Sequence, residues 1–109
     1  MIVDFRPRNP AAGVRPALVV QNDLDNSRMG NTVVVQVTTK TKRSAEPTQL
    51  LIDAAHPDWP RSGLRHPSVV NCSAIYTIDQ DDVARIVGSL SAPTLDQIDN
   101  CLRTVLDLN

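Results

Sequence analysis

The sequence predicts a mainly β fold, a small barrel or rolled sheet with appended α-helices, one of them at the C-terminus. Three observations carry this. Short runs of β-branched and apolar residues recur between clusters of Pro, Gly, Asn and Asp. No sustained helical period appears until the last part of the chain. At 109 residues and 41% hydrophobic content there is material for one modest core, so residues 1–109 form a single domain.

The elements follow in order. IVDF is a short strand-like opening, and RPRNPAAG, broken by Pro7 and Pro10, is a loop. Ala17–Gln21 reads as a buried strand, and NDLDNSRMGN after it as a turn. Thr32–Thr39, TVVVQVTT, is the strongest strand signal in the chain. KTKRSAEP is a polar, basic loop, TQLLIDA another strand, and His56–Pro67, with three prolines and a glycine, an irregular connection with room for one helical turn. SVVNCSAIYTI resumes the β pattern.

Two helices are expected at the end. DQDDVARIVGSL offers Asp79 as N-cap, Val83, Ile86 and Val87 at helical spacing, and Gly88 as the stop. SAPTLDQIDNCLRTVLDL is clearer: Ser91 can cap, Pro93 suits a first turn, and Leu95, Ile98, Leu102, Val105 and Leu106 make one apolar stripe. That stripe must lie against the sheet or against a second subunit.

A formal charge of −1 argues against a nucleic-acid partner until the chain is divided. Residues 1–66 carry nine Lys/Arg against six Asp/Glu, and residues 67–109 two against six. One half is fitted for an anion, the other for something else. Cys72 and Cys101 have neither CxxC spacing nor a ligand cluster nearby, so they read as free buried thiols and no metal site is expected. No run is long and apolar enough to cross a bilayer, and MIVDFRPRNP lacks the apolar core of a signal peptide, which points to a cytoplasmic protein.

GVRPALVVQND, Gly13–Asp23, resembles the signature of the MazF/PemK toxins, an Arg-Pro pair after a glycine-containing loop and before a strand. VVVQVTTKTK resembles that family's strand ending in Thr or Ser and opening into a basic loop, and PTQLLID, SVVNCSAIYTID, VGSLS and LRTVLDL fall in the family's order. The resemblance covers nearly the whole chain. It implies an SH3-like barrel, a homodimer, metal-independent and cofactor-independent cleavage of single-stranded RNA, and inhibition by a cognate MazE-like antitoxin. By the same resemblance Arg15 falls on the catalytic arginine and Thr38 on the catalytic Thr/Ser, with Thr39 adjacent.

Chemistry supports those placements. RNA cleaves itself when its 2′-hydroxyl attacks the neighbouring phosphorus, so the protein must move protons and stabilise charge. A guanidinium fork fits phosphate oxygens, and a β-branched threonine holds its hydroxyl in few rotamers. A guanidinium holds its proton too tightly to be a good general base, so Arg15 is read as a charge stabiliser. Arg6, Arg8, Lys40, Lys42 and Arg43, in loops expected to flank Arg15 and Thr38, are read with Thr39 as RNA-binding.

Set against the family, the chain has Pro10 about where a loop glutamate is expected, Tyr76 near a common arginine, and a start inside a normally longer first strand, which would weaken a barrel edge. Several readings stay open at this point. His56 and His66 could form an acid–base pair; Trp59 could stack a base or cover the core. A family member acting through protein binding and a gyrase-directed toxin using its C-terminal helix are the alternative functions.

Overall fold

The computed structural model describes residues 1–9, 11 and 13–108. Six strands form one antiparallel sheet: β1 (Ile2–Phe5), β2 (Arg15–Val19), β3 (Asn31–Thr38), β4 (Gln49–Ile52), β5 (Ser68–Asp79) and β6 (Val83–Gly88). Their order across the sheet is β4-β5-β3-β2-β1-β6. Three helices complete it: α1 (Asp23–Arg28), α2 (Trp59–Ser62) and α3 (Ala92–Val105). None is long and apolar enough to cross a membrane.

Side-chain alternation divides the sheet into two faces. The pairings Ile2 with Leu18, Leu18 with Val35, and Val37 with Val70 put these residues on one face, with Cys72 and Ile52. They join Leu90, Ile98 and Cys101 in a single buried cluster, so this face and α3 make the core. Leu95, Leu102 and Val105 pack against it from α3, as the apolar stripe predicts, whereas Leu106, at the C-cap, is exposed. Trp59 also packs on this cluster, which settles it as core cover.

The seam between the edge strands β4 and β6 is filled by the α2 connection. The Ser89 N–H donates to the Arg61 carbonyl at 3.0 Å. A Cβ on Gly63 would collide with the Val87 carbonyl, and one on Gly88 with the Ser62 carbonyl, so two glycines let these backbones touch. Asp58, next to α2, ties the same connection to α3: its carboxylate accepts the N–H of Ser91 at 2.8 Å and the Ser91 hydroxyl at 2.9 Å.

Three expectations are corrected. The expected turn after β2 contains a six-residue helix, α1, started by Asn22, whose side chain accepts the Asp25 N–H at 2.8 Å and donates to its carboxylate at 2.9 Å. With no buried residue, α1 leaves no apolar period to read. The expected helix at Asp79–Gly88 is a 3-10 turn, Gln80–Asp82, followed by strand β6. Asp79 does cap, accepting the Asp81 N–H at 2.9 Å, but Val83, Ile86 and Val87 are β-branched, and pairing with β1 decides in favour of a strand. That pairing also means β1 is no sheet edge: it is flanked by β2 and β6.

Candidate functional site

On the face away from α3, the pairings that build the core also assemble the site. Phe5 pairs with Arg15, Ala17 with Gln36 and Val34 with Tyr76, so by alternation Phe5, Arg15, Gln36, Thr38 and Tyr76 share one face. Continuing the β2–β3 register by two residues sets Arg15 opposite Thr38. Two residues 23 positions apart in the chain are thereby brought to the adjoining ends of β2 and β3, where both line one groove.

These side chains border a groove of about 730 Å³, lined also by Arg6, Pro7, Arg8, Thr39, Thr77, Ile78, Asp79 and Asp82. A second depression of about 580 Å³ adjoins it and shares Arg8, Thr77, Ile78 and Asp79. Of the residues predicted from sequence, Arg6, Arg8, Arg15, Thr38 and Thr39 therefore meet in one concavity. Lys40, Lys42 and Arg43 do not line it; they lie in the exposed β3–β4 loop that leaves Thr39. Arg43 faces Glu46 there at 3.9 Å, a solvated contact of little energetic weight.

Arg15 is exposed, and the ion pairs among the described residues, Arg43–Glu46 and Arg85–Asp4, leave it to meet an outside anion. Thr38 ends β3, and its hydroxyl oxygen accepts the Lys40 N–H at 3.2 Å. That bond occupies a lone pair and orients the oxygen, leaving the hydroxyl proton to donate into the groove. Gln36 is held on the groove floor, its Oε1 accepting from Asn71 Nδ2 at 3.3 Å.

Gln36, Phe5, Asp79 and Asp82 were not read as groove residues from sequence. Gln36 carried a signal: it is the one polar residue within VVVQV and stands two places before Thr38. Asp82 carried none. It reaches the groove because its carbonyl accepts the Arg6 N–H at 2.8 Å and Val83 pairs with Phe5, which pairs with Arg15.

His56 and His66 do not line the groove. His56 Nδ1 accepts the Asp58 N–H at 3.0 Å in the β4–α2 connection, and His66 is exposed before β5, so the two-histidine arrangement is not the groove's chemistry. Pro10 lies outside the described residues. Cys72 and Cys101 are buried free thiols; burial first, then contact with Cys101, pushes Cys72 up to about 12.

The sequence profile of the PemK-like, MazF-like toxins of type II toxin–antitoxin systems matches residues 1–106. Endoribonuclease MazF6 from Mycobacterium tuberculosis is 36% identical over 95 residues, covering 86% of this chain and 79% of that protein. The solved Mycobacterium tuberculosis toxin MazF-mt6 superposes with a TM-score of 0.81 at 25% identity, over 99% of this chain and 97% of that one. A mycobacterial endoribonuclease solved in complex with its cognate antitoxin shares the fold, with a TM-score of 0.79 at 24% identity over 99% and 92% of the two chains. With the profile matched over nearly its full length, the chain belongs to the PemK-like, MazF-like toxins of type II toxin–antitoxin systems.

Proposed function

We propose that this toxin is an endoribonuclease that cuts single-stranded RNA in the groove between Arg15 and Thr38. The observation that carries the reading is that Arg15, at the start of β2, and Thr38, at the end of β3, line the same groove. The substrate's 2′-oxygen bonds to phosphorus as its proton is removed, and the bond from phosphorus to the 5′-oxygen breaks as that oxygen gains a proton. The products are a 2′,3′-cyclic phosphate and a 5′-hydroxyl, and the chain itself supplies no nucleophile.

Arg15 offers forked donors to the phosphate oxygens where negative charge grows, and Thr38 adds its hydroxyl; donors of this kind are each worth about 3–4 kcal/mol in transition-state stabilisation. The groove's carboxylates are Asp79 and Asp82. Asp79 accepts the Asp81 N–H through one oxygen, and Asp82, which precedes the Val83 paired with Phe5 beside Arg15, is the carboxylate assigned to accept the proton. Arg6, Arg8 and Thr39 line the groove and guide the RNA backbone, and the exposed Lys40–Arg43 loop that leaves Thr39 offers further cations to RNA beyond it.

The toxin acts in the cytoplasm as a homodimer and is silenced when an acidic segment of a MazE-like antitoxin folds into the basic groove. The two reduced thiols suit that compartment. Wild-type and Arg15→Ala protein, incubated with a long single-stranded RNA in EDTA, test the proposal. Cuts by the wild type alone, ending in cyclic phosphate, support it; 3′-hydroxyl and 5′-phosphate ends, or equal cutting by Arg15→Ala, overturn it.

A further inference from the structure

We infer that Tyr76 is a base-stacking platform that sets RNA affinity and cleavage preference at one remove from the reacting phosphate. The inference rests on the RNA-cleaving reading of the groove. The chain has only three aromatic residues, Phe5, Trp59 and Tyr76. Trp59 serves the core, while Phe5 and Tyr76 both border the groove. Tyr76 keeps 44% of its surface exposed in a chain so poor in rings, although a tyrosine buried elsewhere would add substantially to the core.

Its position comes from an irregularity in β5. Val35 pairs with Ile75 but Gln36 with Asn71, so Cys72, Ser73 and Ala74 are extra residues without partners on β3. The insertion bends the strand and lets Tyr76, Thr77 and Ile78 form a groove wall. Tyr76 pairs with Val34, four residues before Thr38 on β3, which places its row about 14 Å from the Thr38 row. Between the two rows the floor is low: Val34 is fully buried and Gln36 is half-buried. Arg8 lines both the groove and the adjoining depression beside Thr77–Asp79, so a cation accompanies the ring where a nucleic-acid backbone would pass. A basic track with an exposed aromatic face is the combination that holds single strands, because every base has a face to stack.

The test uses the full-length protein and two RNAs, a heptanucleotide that extends from the cut site past Tyr76 and a dinucleotide that does not reach it. Each carries a 2′-deoxy sugar at the cut position so that binding is read without cleavage. Tyr76→Ala should raise Kd for the heptanucleotide roughly 5- to 150-fold and leave the dinucleotide unchanged, while Tyr76→Phe and Tyr76→Trp restore tight binding. On cleavable RNA the alanine variant should lose kcat/KM through KM, with an altered distribution of cut sites. The inference is overturned if Tyr76→Phe is as weak as Tyr76→Ala, if the dinucleotide is weakened equally, if kcat carries the loss, or if heptanucleotide affinity does not move. Wild-type protein that binds RNA through Tyr76 yet never cuts it would instead overturn the endoribonuclease reading and leave the platform standing.

Discussion

Asp58 is only 4% exposed, and its Oδ2 accepts both the N–H and the hydroxyl of Ser91, the residue at the start of α3. Asp58→Ala removes both bonds and strands the buried Ser91 N–H, while the Ser91 hydroxyl keeps the Thr94 hydroxyl at 3.2 Å. A stranded buried donor costs about 1–3 kcal/mol and the lost charge-assisted hydroxyl bond about 1 kcal/mol more, so the variant should lose about 2–4 kcal/mol. For a domain of this size that corresponds to a fall in Tm of roughly 10–20 °C. Asp58→Asn keeps an oxygen able to accept both bonds and loses only the charge assistance, so its cost should be about 1 kcal/mol. The Ser91 N–H, foremost, holds the Asp58 carboxyl below its ordinary value against the opposing effect of burial. A carboxylate depressed on folding contributes stability above its unfolded pKa and loses it as pH falls through the folded value. Urea denaturation of wild type and Asp58→Asn between neutral and acidic pH should therefore show a gap that closes once pH drops below the ordinary carboxylate range. An alanine variant within 0.5 kcal/mol of wild type, about the scatter of ordinary surface changes, or a gap with no pH dependence, would refute the account.

Gly13 and Gly63 share a φ of +71°, but among the described residues nothing lies within 4 Å of a Cβ at Gly13, whereas one at Gly63 meets the Val87 backbone. Gly13→Ala should cost about 1 kcal/mol for conformation alone, and Gly63→Ala a further 1–3 kcal/mol for the collision, both read by urea denaturation; equal costs would mean the seam is loose. Asp82→Asn should lower kcat about 100-fold or more with little change in RNA affinity, and an unchanged kcat would take the proton-acceptor role away from Asp82. A thiol reagent should leave folded protein unlabelled at neutral pH and label Cys72 and Cys101 together in guanidinium, since burial holds both thiols protonated.

The elements legible in the sequence were those whose pattern exceeds one turn and matches their surroundings. β3 announces itself by TVVVQVTT, and α3 by a stripe that does pack on the sheet. β6 was not legible, because Val83, Ile86 and Val87 fit a helical face and a β-branched strand equally; partnership with β1 decides, and that is non-local. The site divides the same way. Arg15, Thr38 and Thr39 carry a recognisable context and the structure puts them in one groove. Asp82 and Tyr76 arrive there through a 3-10 turn and a three-residue insertion in β5, and neither has a hydrophobic period to betray it.

Register joins stability to chemistry in this fold. Val37 faces the core and Thr38 the groove only because β2 and β3 pair as Leu18 with Val35 and Ala17 with Gln36. A slip of one residue in β3 would turn Thr38 and Gln36 inward, leave two buried polar side chains to be satisfied, and expose Val35 and Val37. The same slip would separate Thr38 from Arg15. The apolar residues that hold the sheet together thus also hold Arg15 and Thr38 in place, and a substitution such as Val35→Ala, on the face away from the groove, should reduce cleavage only to the extent that it unfolds the protein or loosens this pairing. Activity that fell well beyond the loss of folded protein would locate that loosening in the β2–β3 register.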